Sequence, residues 1–171
     1  MKELFVGPSI IYYLVSRLKE KYPHKQIGKT IIQKLMYLLE INTNEDYDYT
    51  MYHYGPYSSE VGEYINQGEI LGMLNIDWIP NQGYFITPLE KDNLEFYVEI
   101  DSDKKRKIDE LVDKFGNYSA NELSIIATAL YVKNNFNVKN DEELVNAVLS
   151  VKPKYKKEWI RELLKKAEII G

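Results

Sequence analysis

Cysteine is absent from all 171 residues, which excludes disulfides, thiolate metal ligands and a cysteine nucleophile. Histidine is scarce: His24 and His53 are the only two, and neither has a second ligand-type residue at a metal-binding spacing. Surface or hydrogen-bonded structural roles are expected for both. Long apolar runs are also missing. No segment approaches the ~20 apolar residues of a membrane span, and Met1 to Pro8 lacks an apolar stretch behind basic residues, so the expectation is a soluble, cytoplasmic protein without a membrane partner. Walker, Rossmann, metal-site and nucleophile-elbow patterns do not occur. The sequence therefore implies a non-enzymatic protein that needs no cofactor and no metal.

One further absence is local, since residues 57 to 87 contain no lysine or arginine at all. The net charge of -4 is the sum of unlike segments. Residues 1–44 carry seven basic side chains against three acids, residues 45–103 one against thirteen, and residues 104–171 fourteen against ten. An acidic middle of this kind repels phosphate backbones. Tyrosine, by contrast, is abundant: fifteen against five phenylalanines. Its apolar body and polar tip suit core margins and partner surfaces alike.

The order of elements follows from periodicity. Pro8 and Ser9 are expected to open a helix carrying Ile11, Leu14, Val15, Leu18 and Tyr22, closed by Pro23. A second amphipathic helix is read around the run Lys29 to Glu40, with Ile27, Ile31, Leu35, Leu38 and Leu39 on its apolar stripe and Lys29, Gln33 and Glu40 off it. Tyr47 to Tyr54 is rich in β-compatible residues and reads as a strand. Gly55-Pro56 stops that strand, because glycine admits unusual backbone angles and proline lacks a donor. A third helix then starts at Ser58 or Ser59, with Gly68 near its end. Ile76 to Thr87 forms two short β segments about a Pro80-Asn81-Gln82-Gly83 turn. Helix, helix, helix, hairpin is the order of a winged helix.

Beyond Asp101 the pattern is helical throughout. Ile108, Leu111, Val112 and Phe115 form one stripe, Ser119 to Glu122 is a capping box, Asn140 caps a short helix, and a last helix carries Trp159, Leu163 and Leu164. The fold class is therefore mainly α with a small β component: a winged-helix-like region over residues 1–100 and a helical C-terminal bundle over residues 101–171, packed on it as one compact unit.

Lys34-Leu35-Met36-Tyr37-Leu38-Leu39, followed by Tyr54-Gly55-Pro56-Tyr57-Ser58, resembles the paired signature of the Panacea family of SocA-like antitoxin domains and their uncharacterised relatives. The match continues in Ser119-Ala120-Asn121-Glu122-Leu123 through Ala127-Thr128 to Tyr131, and in Val151-Lys152-Pro153-Lys154. After Pro56 the chain has Tyr57-Ser58-Ser59 where the antitoxin branch carries branched aliphatics, which places it nearer the uncharacterised relatives. The resemblance implies a protein-binding module that neutralises a toxin or delivers a partner to a protease, without catalysis. It points to Lys34, Tyr37, Tyr54, Gly55, Pro56 and Tyr57 as partner-binding residues, with Lys34 and Tyr37 at the margin of the second helix. The alternative is a winged-helix DNA-binding regulator. Its phosphate contacts would fall to Lys152, Lys154, Lys156 and Lys157, because the third helix and wing offer only acids.

Overall fold

The fold is that of a computed structural model describing residues 2–171. Seven helices and two hairpins are present among the described residues: α1 (Glu3–Lys21), α2 (Lys29–Ile41), β1 (Thr50–Tyr52), β2 (Gly55–Tyr57), α3 (Ser59–Ile70), β3 (Leu74–Ile79), β4 (Gly83–Pro88), α4 (Ser102–Phe115), α5 (Ala120–Asn135), α6 (Asp141–Val151) and α7 (Lys157–Lys166). The protein is thus mainly helical with a small β component. One hydrophobic cluster runs from Ile10 to Ile170 and draws on both halves of the chain.

Helix α2 is the axis of that cluster. It touches α1, α3, α4, α5 and β2. Every residue from Ile31 to Leu39 is consequently buried, Gln33, Lys34 and Tyr37 included. The sequence shows an amphipathic helix, and the structure shows one surrounded by neighbours. A polar residue off the apolar stripe is therefore not at the surface.

Local chemistry explains most boundaries. Ser58 caps α3 by accepting from Val61 N at 3.0 Å. Ser119 and Glu122 form the expected reciprocal capping box of α5, and Asn140 caps α6 through Glu143 N at 2.9 Å. Gly68 lies in the last turn of α3, and the helix, which runs to Ile70, is closed by Gly72. Gly72 has φ +72°, and the bonds from Met73 N to Gly68 O and from Gly72 N to Glu69 O make a Schellman closure. Gly68 serves packing instead, because a Cβ there would stand 2.7 Å from a methyl of Leu74.

Helix α1 begins at Glu3, so Pro8 lies inside it and not at its first position. A proline in the early turns removes one amide, and the carbonyl it would have bonded belongs to the exposed Leu4, which water can satisfy. Ser9 is buried and accepts from Val98 N at 2.9 Å, tying the chain after the second hairpin to α1.

The β3–β4 hairpin pairs Ile79 with Gly83 across the expected turn, with Asn81 and Gly83 at positive φ. Ile86 N donates to Ile27 O at 2.9 Å, so the α1–α2 connection runs along the hairpin's free edge. The order α1, α2, α3, hairpin is thus present, with a second, smaller hairpin inserted between α2 and α3. That insertion departs from the expected single strand. The turn falls at His53-Tyr54, and Gly55-Pro56-Tyr57 returns as β2, pairing Thr50 with Tyr57 and Tyr52 with Gly55. Proline is tolerated there because a two-stranded ribbon leaves each strand an outer edge that needs no donor.

Candidate functional site

The β1–β2 hairpin is where the stretches around Lys34, Gly55, Thr128 and Lys152 meet. Its turn residues His53 and Tyr54 are not at positive φ, whereas Gly55, directly after them, has φ +101°. A residue with positive φ following a two-residue turn is the geometry by which a hairpin accommodates a bulge, and it favours glycine. Space imposes the same choice. A Cβ on Gly55 would lie 2.7 Å from Thr128 Oγ1 and 3.3 Å from Ser124 O on α5.

Five side chains hold the hairpin and the residue that follows it. Lys34 Nζ donates to Pro56 O at 2.8 Å. Gln33 grips Ser58 at both ends, with Nε2 donating to Ser58 O at 2.8 Å and Oε1 accepting from Ser58 N at 3.0 Å. Ser58 Oγ also donates to Tyr47 O, and Tyr49 Oη donates to Gln33 O at 2.7 Å. From the C-terminal half, Lys152 Nζ reaches His53 O at 3.3 Å and sits over the Tyr54 ring. The hairpin is therefore fastened from α2, from α5 and from the α6–α7 turn.

The two lysines are electrostatically unusual. Lys34 is 2% exposed and Lys152 7%, and neither forms an ion pair among the described residues. Burial, reinforced by repulsion from Lys152, pushes the Lys34 ammonium down from its ordinary 10.5 to about 8. Burial likewise lowers Lys152, with repulsion from Lys154 adding to it. One turn further along α2, Tyr37 packs edge-on to Tyr49 at 5.0 Å, and burial raises it to about 12.

The proposed partner-binding residues consequently divide into two layers. Lys34, Tyr37, Gly55 and Pro56 are interior, so Lys34 and Tyr37 are not at a helix margin and do not line a surface groove. The reason is the central position of α2, which leaves no face of it free along that stretch. Tyr54 and Tyr57 are exposed by 67% and 40%, and Tyr52, 60% exposed, joins them, its ring 5.8 Å from that of Tyr57. No family model matches the chain, and no curated protein matches it.

The lysines of the nucleic-acid alternative do not form one face. Lys152 is turned inward, Lys157 pairs with Glu142 at 2.5 Å, and Lys154 covers the Tyr155 ring; Lys156, exposed, stands at the cap of α7. The other basic run is likewise engaged: Lys104 pairs with Glu45, Lys105 with Glu99, and Arg106 with Asp103 and Glu110.

Sequence reasoning missed Gln33, Thr128 and the clamping role of Lys152. The positions of Thr128 and Lys152 in the matching stretches were the available signal, but only the tertiary arrangement gives them a common target. Among the described residues no group of three His, Asp or Glu side chains is placed to hold a metal ion, and no helix is long and apolar enough to cross a membrane.

Proposed function

We propose that the chain is a cytoplasmic protein-binding module that acts by presenting the β1–β2 hairpin to a partner protein and carries out no reaction of its own. The observation that carries this is the pairing of three exposed tyrosines, Tyr52, Tyr54 and Tyr57, with a backbone fixed from three other parts of the fold. Tyrosines supply large contact area with few rotors, and a pre-fixed backbone loses little entropy when it docks. Neutralisation of a toxin, or delivery of a partner to a protease, is the role implied by the Panacea resemblance.

A photo-crosslinking side chain at Tyr54 in the full-length protein, used in native lysate, tests the proposal. Tyr52→Ser and Tyr57→Ser are expected to lower the yield of the crosslinked partner by roughly tenfold or more with melting temperature unchanged. Trp78→Ser, on the separate β3–β4 hairpin, is expected to leave it intact. Equal yields from all variants would remove the hairpin as the docking element. Growth arrest by the recovered partner alone, relieved by co-expression, separates neutralisation from delivery, which would instead shorten the partner's lifetime.

A further inference from the structure

Beside the clamped hairpin lies a cavity of about 230 Å³ whose walls include His53, Tyr54, Asn121, Ser124, Lys152 and Lys154. No carboxylate lines it, although the chain has 26 acidic residues and most of its basic runs are paired. Behind Lys152 stands the buried Lys34, close enough that the two ammoniums repel each other. An ammonium has three donors. On each of these two lysines a single backbone carbonyl accepts one of them, and for Lys152 the distance of 3.3 Å is at the long end for such a bond. A buried cation answered only by a carbonyl dipole is costly in a folded protein, where buried charges are ordinarily paired. A recess walled by two lysines and no carboxylate is suited to an anion.

We propose that this cavity binds the carboxylate group of a partner peptide, held between Lys152 and Lys154 with the Asn121 amide and the Ser124 hydroxyl as further donors. The inference rests on the protein-binding reading above and gives it a chemical specificity. Size restricts the occupant. Pockets for drug-sized molecules run from ~300 to ~1,000 Å³, so this one admits a single side chain or chain terminus and not a nucleotide. Its rim selects further. The Tyr54 ring and the Tyr155 ring, which stacks on Trp159 at 4.9 Å, place aromatic surface next to the cations. An apolar or aromatic residue adjacent to the carboxylate fits that rim.

Three small organic probes, with inorganic phosphate as a fourth, all followed by amide NMR shifts, test the site on the intact protein. N-acetylphenylalanine offers a terminal carboxylate, N-acetyl-aspartyl-phenylalaninamide a side-chain carboxylate, and N-acetylphenylalaninamide neither. At least one acid is expected to give saturable shifts at residues 53–55, 121–124 and 151–155, with the neutral amide binding roughly tenfold more weakly or worse. Lys152→Gln is expected to weaken the acid to the level of the amide. Lys154→Gln, on an exposed side chain, gives the same comparison if the first variant loses structure. Whichever acid binds more tightly identifies the source. Equal binding of acid and amide, tighter binding of inorganic phosphate, or no saturable shifts from either acid would overturn the proposal. Failure of this site is distinguishable from failure of the docking hairpin. If the acids bind but Tyr57→Ser still captures its partner, the hairpin falls and the cavity stands; the reverse pattern removes the cavity alone.

Discussion

Lys34 should make the protein more stable as the solution becomes mildly alkaline, against the usual trend. With its ammonium held at about 8 in the folded state against 10.5 in an open chain, burial of the charge costs on the order of 3 kcal/mol near neutrality. Below pH 8 both states keep the proton and the cost is constant. Between about 8 and 10.5 the unfolded chain binds the proton that the folded chain has released, so stability rises with pH, by ~2 kcal/mol at pH 9.5. For a chain of this size that corresponds to ~4–8 °C in melting temperature. The tyrosines set the upper limit of the window. Burial raises Tyr37 and Tyr47, so above pH 10 the unfolded chain ionises first and stability falls again. Thermal melts of wild type and Lys34→Met from pH 7 to 9.5 isolate the effect. At pH 7 the variant removes the charge penalty but leaves Pro56 O without its partner, a loss of ~1–3 kcal/mol, so the two should be within ~2 kcal/mol of each other. Lys25 and Lys152, both lowered mainly by burial, contribute a shallower slope of the same sign to both proteins. Parallel profiles for the two proteins would refute the assignment of a strained ammonium to this position.

Gly55→Ala should destabilise by ~2–4 kcal/mol in urea titrations, since positive φ and a contact 2.7 Å from Thr128 Oγ1 act together, whereas Gly72→Ala, at positive φ with open space around it, should lose only ~1–2 kcal/mol. Equal losses would show that α5 yields freely to the added carbon. Tyr49→Phe should lose ~1 kcal/mol with the bond to Gln33 O, while Tyr47→Phe, whose buried hydroxyl has no partner, should be neutral or stabilising; the opposite ranking in chemical denaturation would contradict this assignment of hydrogen bonds.

Helices α3 to α6 were legible from their caps as well as their apolar residues, whereas α1, α2 and α7 have no side-chain cap and were legible from the apolar period alone. The Ser119–Glu122 box and the Asn140 cap appear where the side-chain chemistry requires them, and the wing follows from its Pro80 to Gly83 turn. Legibility failed where the deciding partner is distant in sequence. Gly55-Pro56 looks like a terminator, yet carbonyl bonds from Lys34 and Lys152 make its neighbourhood a return strand. Pro8 looks like a helix start, yet tolerance of the missing amide depends on Leu4 being at the surface. Lys34 was legible as a notable residue and illegible as a buried one, because a charge on an apolar helix is ordinarily assigned to the margin. Only the enclosure of α2 by five other elements, which no local pattern encodes, puts it inside.

A hairpin of three residues per strand is not stable alone, so the conformation of β1–β2 is supplied by the rest of the fold. The bidentate Gln33, the two lysines and the close approach of Thr128 to Gly55 each fix a different backbone group: both amide ends of Ser58, the carbonyls of Pro56 and His53, and the Gly55 Cα. Apolar residues at positions 34 and 152 would avoid the cost of two buried charges, and replacement of buried ions by packed apolar groups is often neutral or stabilising. An apolar side chain cannot, however, donate to a carbonyl on a strand that lacks a second neighbour, nor attract an anion to the recess beside it. The buried lysines thus exchange stability for a fixed hairpin and an unanswered positive potential. Both properties act at the same edge of the molecule, where Tyr54 belongs at once to the exposed tyrosine set and to the wall of the cationic cavity.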